Sequence, residues 1–164
     1  MKKIFCFFFL FISSFVFAKE IPITLEYAKT EKERTFGLMQ RPYLPENHGM
    51  LLVYPQQTNI QIWMLNCLID LSVAFLDEKG VILEIHELKA YPNKISHPLK
   101  NYEEVMAYHD PKIFRFFLKN SIKSSEPSLY VLEMNKDWFK KYGVVPGNSL
   151  KTDLINPKAF IVQE

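Results

Sequence analysis

Glu33, Arg34 and Arg41 place one acid and two bases in a short stretch. The arginine guanidinium is a planar fork of donors that matches a carboxylate or a phosphate. The group therefore reads as an anion-binding rim or as ion pairs that tie a helix to a sheet, and the structural reading is the commoner one in a small β domain. Trp63, Met64 and Asn66 form a second group. The Trp63 indole offers a flat face and one donor, and the Asn66 amide offers both a donor and an acceptor. They could wall a small-molecule or sugar pocket. Core packing is the plainer account of Trp63 and Met64. Asp70 follows closely and is the weakest member of the candidate set Glu33, Arg34, Arg41, Trp63, Asn66 and Asp70.

Other chemistry finds less support. Cys67 is a lone thiol with no local His signature beside it, so neither a disulfide within the chain nor a catalytic cysteine is indicated. Met39, Met50, Met64, His48 and Cys67 would suit Cu(I) by softness. They lack the regular spacing of a copper motif, and each Met lies in an apolar stretch where it fills core gaps. A hydrolase needs two carboxylates that converge on a cleft, and Glu33 with Asp70 is the pair available. No glycine-rich phosphate loop, Gly-x-Ser-x-Gly, Cys-x-x-Cys or His-Glu-x-x-His occurs. No catalytic residue, metal or cofactor is assigned.

Three phrases in order carry a resemblance: Glu33-Arg34-Thr35-Phe36-Gly37-Leu38-Met39-Gln40-Arg41, His48-Gly49-Met50-Leu51-Leu52-Val53 and Ile62-Trp63-Met64-Leu65-Asn66-Cys67. Together they resemble the family catalogued as domain of unknown function 192. Its signature is Glu-Arg, Gly-Leu-Met-x-Arg, Gly-Met-Leu and Trp-Met-x-Asn-Thr. The resemblance spans roughly residues 22–154. It implies a mainly β, compact jelly-roll-like sandwich or barrel and no settled biochemical role. The family motif continues Asn-Thr, two residues, Pro-Leu-Asp. Here Cys67 stands in the Thr position, Asp70 in the Pro position and Ser72 in the Asp position, which weakens any role for a family carboxylate.

The elements that must position these residues follow from patterning. Ile21, Ile23, Leu25 and Tyr27 alternate as a strand. Thr30 and Glu33 have the spacing of a capping box, so a short helix should run toward Gly37. Strands are expected at 49–54, 59–64, 72–77, 81–88, 129–134, 149–154 and 159–162. The turn Asp77-Glu78-Lys79-Gly80 joins the third and fourth of these as a hairpin. Pro98 and Pro111 read as first helical positions, the latter with Asp110 as N-cap. Ile113, Phe116, Phe117 and Ile122 share the following run with Lys112, Arg115, Lys119 and Lys123, an amphipathic helix. The resemblance makes residues 91–126 a lineage-specific, partly helical insertion. Packing on the sheet is the first expectation for it, and peripheral membrane contact through 112–123 the second.

Residues 1–18 read as a cleaved secretory leader. Lys2 and Lys3 precede a Phe-rich apolar run, and Val16-Phe17-Ala18 resembles a cleavage site. An uncleaved N-terminal membrane anchor is the lesser expectation. Of 20 basic residues the leader holds two, so 18 face 18 acidic residues in the remainder. That balance leaves no nucleic-acid footprint. The sequence thus points to one exported β domain over 19–164, periplasmic or extracellular. The expected role is a non-catalytic small-ligand binding or accessory protein of the cell envelope. A cell-wall or sugar-directed hydrolase or transferase, a copper-binding protein and a structural interaction module are the alternatives.

Overall fold

The computed structural model describes residues 18–163. The expected leader falls outside that range, Ala18 excepted. Strand β1 (Lys19–Ala28) leads into helix α1 (Glu31–Phe36), then β2 (His48–Thr58), β3 (Gln61–Ile62), β4 (Leu71–Leu76) and β5 (Ile82–Leu88). Helices α2 (Tyr102–Ala107) and α3 (Pro111–Lys119) follow. The chain ends with β6 (Ile122–Lys123), β7 (Ser128–Asn135), α4 (Trp138–Tyr142), β8 (Ser149–Lys151) and β9 (Lys158–Gln163).

Seven strands form one sheet in the order β5-β4-β7-β2-β1-β9-β8. The sheet curls into a half-barrel, the mainly β architecture expected. Its two edges meet near one end. Val81 bridges Ser149, the Ile82 amide donates to the Asn148 carbonyl, and the Leu150 amide donates to the Gly80 carbonyl. One curled sheet therefore supplies the two packed faces of a sandwich. Strands β1 and β2 are parallel, whereas the other neighbours are antiparallel. A parallel pair cannot be joined by a tight turn. The crossover made by α1 and residues 37–47 is the consequence, and it carries the first signature phrase.

Both faces of the sheet are covered. On one face Met50, Leu52, Val73, Phe75 and Val131 pack with Leu38, Met39, Met64, Val105 and Phe117. On the other Leu51, Ala74, Leu76, Leu132 and Met134 pack with Trp138, Phe139 and Ile161. Every residue of β4 is buried as a result. Each large apolar side chain so buried stabilises the fold by roughly 1.5–3 kcal/mol. Gly49 is required where β2 meets β7: a Cβ there would lie 2.3 Å from the Met134 sulfur and 2.6 Å from the Glu133 carbonyl oxygen.

Local expectations meet mixed outcomes. The capping box forms, with the Glu33 amide donating to Thr30 and the Thr30 amide donating to Glu33. Asp110 caps α3 through the Lys112 and Ile113 amides. Three elements differ, the first being the strand expected at 149–154, which ends at Lys151 as β8. The strand expected at 59–64 shortens to β3, which pairs only with β6, because the chain turns at Leu65-Asn66. Pro98 starts no helix. Helix α2 begins after Asn101, whose side chain accepts from the Glu104 amide and so supplies the cap. The 91–126 segment packs on the sheet, with Phe117 in its core. Among the described residues no helix is long and apolar enough to cross a membrane.

Candidate functional site

Position 133 on β7 lies between Met50 of β2 and Val73 of β4 in the ladder. Side chains alternate along a strand. Val131 and Glu133 therefore face the same side, the side packed by α2 and α3, while Leu132 and Met134 face the other. A carboxyl is thus placed where the pattern calls for an apolar residue. Glu133 is 6% exposed. Among the described residues nothing donates a hydrogen bond to its carboxylate. A buried charge without a partner is costly. Burial pushes the Glu133 carboxyl up from its ordinary 4.5 to about 7.

This carboxyl opens into a cavity of about 260 Å³. Apolar walls come from Phe36, Leu38, Met39, Leu52 and Ile62, with Trp63 on one side. Trp63 is itself backed by Phe114 of α3, the ring centroids 5.7 Å apart and nearly parallel. Gly37 covers the carboxyl: a Cβ on it would be 3.9 Å from Oε2 of Glu133. Gly37 closes α1 with φ +49°, a conformation that side chains disfavour. Arg34 and Glu31 of α1 line the outer part.

Arg34 is held in place from three directions. Its Nη1 donates to the Lys29 carbonyl and, at 2.9 Å, to the Val53 carbonyl. Its guanidinium lies over the Tyr54 ring, 4.9 Å from the centroid. Tyr54 lines the same cavity and is near enough to both groups to be influenced by each. Its hydroxyl is pushed up mainly by burial, with Arg34 opposing and Glu133 adding to the rise. Cys67 lines the same cavity. Burial first and Glu133 second push its thiol up, so it is a protonated packing group and not a nucleophile at neutral pH.

Of the six residues expected from the sequence, the fold brings Arg34 and Trp63 to this cavity. The other four have partners elsewhere. Glu33 accepts from the Lys29 and Thr30 amides, and these bonds, the Thr30 one first, hold its carboxyl below the usual range. Arg41 pairs with Glu26 at 2.6 Å on the surface. Asn66 is buried and clamps the inserted segment, donating to the Leu99 carbonyl at 2.7 Å and accepting from the Leu99 amide at 3.2 Å. Asp70 accepts from the Ala90 amide and from Lys136. Neither Glu33 nor Asp70 lines the Glu133 cavity. Met39, Met50, Met64 and Cys67 all sit in one core cluster, while His48 is exposed. Among the described residues no three His, Cys, Asp or Glu side chains converge as a metal site.

The profile of the DUF192 family, described as "Uncharacterized ACR", matches residues 15–152. The chain belongs to the DUF192 family. Among curated proteins no match was found. Two crystal structures share the fold of this DUF192 protein. One, put forward as a transcription regulator from Sinorhizobium meliloti 1021, has 27% identity and a TM-score of 0.57, over 82% of this chain and 94% of that one. The other is a protein of unknown function from Novosphingobium aromaticivorans DSM 12444. It has 20% identity and a TM-score of 0.56, over 88% of this chain and 85% of that one.

Glu133 and Tyr54 were not marked as site residues by sequence reasoning in this DUF192 chain. A signal for Glu133 was present. In Leu129-Tyr130-Val131-Leu132-Glu133-Met134 the acid takes the register of Val131, a core-facing position. Tyr54 closes an apolar strand, where an aromatic side chain needs no special account.

Proposed function

We propose that this protein binds a small organic ligand in the Glu133 cavity, as a non-catalytic binding or accessory protein of the cell envelope. The observation that carries the reading is a buried, unpartnered carboxyl facing a cavity lined by polar and apolar surface in near-equal share, with an aromatic wall. Pockets that bind small molecules combine apolar lining with a few placed polar groups. A cavity of about 260 Å³ lies just under the usual range, which favours a ligand of few heavy atoms. The hydrolase alternative requires a second carboxylate working against Glu133. The other acid lining the cavity, Glu31, is exposed on the first turn of α1.

A fragment screen followed by two-dimensional NMR tests the binding role. Expected are saturable shifts at the Trp63 indole N–H, Gly37 and Cys67, with Trp138 on the opposite face unmoved. Shifts confined to other surfaces, or none from a diverse library, would refute it. Export is supported by the leader-like residues 1–18. Cell fractionation with N-terminal sequencing tests it: a periplasmic or secreted product that begins at Lys19 is expected, and a cytoplasmic product that begins at Met1 would overturn it.

A further inference from the structure

The proposed binding cavity holds an acid and a base that do not pair with each other. Glu133 is buried, and among the described residues no donor or cation reaches it. Arg34 lines the same cavity, and among the described residues no carboxylate pairs with it. Its Nη1 is engaged by two backbone carbonyls and its plane lies against Tyr54, so its position is fixed while its remaining N–H groups are not used. Glu31 is the third charged group of the lining, but it is exposed and well hydrated, so its field is weak.

Complementarity then selects among ligand classes. A simple carboxylate would meet Arg34 but place its charge in a cavity already holding an acid. A simple amine would satisfy Glu133 but must sit beside the Arg34 cation. A divalent cation would find only one acid at the inner end. A molecule with both an ammonium and a carboxylate satisfies both sites. The walls of Phe36, Leu52, Ile62 and Trp63 suit an apolar side chain beside the two charged ends. We infer that the ligand is a small zwitterion of the amino-acid type, bound with its ammonium on Glu133 and its carboxylate on Arg34. This inference rests on the cavity being a binding site, as proposed above.

The test uses alanine, valine and leucine as zwitterionic probes, each with its decarboxylated amine and its deaminated acid, titrated by NMR and calorimetry. At least one amino acid should bind saturably at the Trp63 and Gly37 signals. Removing either charged end should weaken binding by about tenfold or more, the scale of one charge-assisted hydrogen bond. Glu133→Gln should weaken the amino acid and the amine but not the acid. Arg34→Gln should weaken the amino acid and the acid but not the amine. Arg34→Lys keeps the charge and should recover part of the loss. Binding of the amine or the acid as tight as its parent amino acid would overturn the inference. Binding of uncharged fragments alone at the Trp63 signal would also overturn it and leave the binding site standing. No perturbation by any probe or fragment would remove both.

Discussion

Glu133→Gln should stabilise this protein at neutral and higher pH, an unusual outcome for a core polar substitution. In the folded protein the carboxyl holds its proton up to about pH 7, whereas an ordinary glutamate loses it near 4.5. Between those values the native state binds a proton that the unfolded chain has released. The sign follows: stability from this group is fully present below about pH 4.5 and is lost as pH rises through about 7. The gap, at 1.36 kcal/mol per pH unit, corresponds to about 3 kcal/mol. Glutamine has nearly the same shape and cannot ionise, so it escapes this loss. Glu33, Glu46, Asp70, Glu84, Glu103 and Asp153 are all held low and act in the opposite direction, losing stability as pH falls. They are common to both proteins and cancel in the comparison. Glu31, Arg34, Tyr54 and Cys67 are the other titratable or charged groups around the site, and they too are unchanged. Urea unfolding followed by circular dichroism, in steps from about pH 4 to pH 8.5, should show the difference between variant and parent moving by about 3 kcal/mol in favour of the variant. The movement should centre between pH 4.5 and 7. A difference that stays flat would mean that Glu133 is solvated or paired in solution, and the argument for an unpartnered acid would fail.

Three other substitutions or probes test the frame around the cavity. Gly37→Ala must adopt φ +49° beside the Glu133 carboxyl and should cost about 1–2 kcal/mol in urea unfolding, whereas no cost would mean that the end of α1 relaxes freely. Asn66→Ala orphans the Leu99 amide and carbonyl and should cost about 1–3 kcal/mol, with faster amide hydrogen exchange at Leu99 as the local sign. Unchanged exchange at Leu99 would show that the inserted segment docks without that clamp. The Cys67 thiol should react with a thiol reagent only as fast as the protein opens, so native and urea-unfolded samples should differ by orders of magnitude, and rapid native labelling would contradict its burial.

Local chemistry was legible in the sequence where one residue answers a neighbour. Thr30 with Glu33, Asp110 before Pro111, and the Asp77 turn all close their hydrogen bonds within a few residues, so spacing alone reveals them. The expected site residues separate for a related reason. Glu33 is drawn to nearby amides, Arg41 to Glu26 on the adjoining strand, and Asp70 to the Ala90 amide at the exit of β5. Each finds a closer partner than the cavity offers. Arg34 reaches the cavity because it sits one residue beyond the capping pair, on the turn that faces β2. The acid at 133 was harder to read. What gives it meaning is which strands flank it, and Met50 of β2 and Val73 of β4 are brought beside it only by pairings across 83 and 60 residues of chain. The same distance hides the curl, since the contact between the start of β5 and β8 leaves no trace in either segment.

The ladder between β1 and β9 has a kinetic consequence. Lys19 pairs with Gln163 and Thr24 with Lys158, so the first strand of the described residues is flanked on one side by the last. Loop-closure entropy makes such a pairing slow to form. On the ribosome β1 has only the β2 side of its ladder available until residues 158–163 emerge. Completion of the sheet therefore waits for residues 158–163, and a chain that lacks them leaves the β9 side of β1 as an open edge.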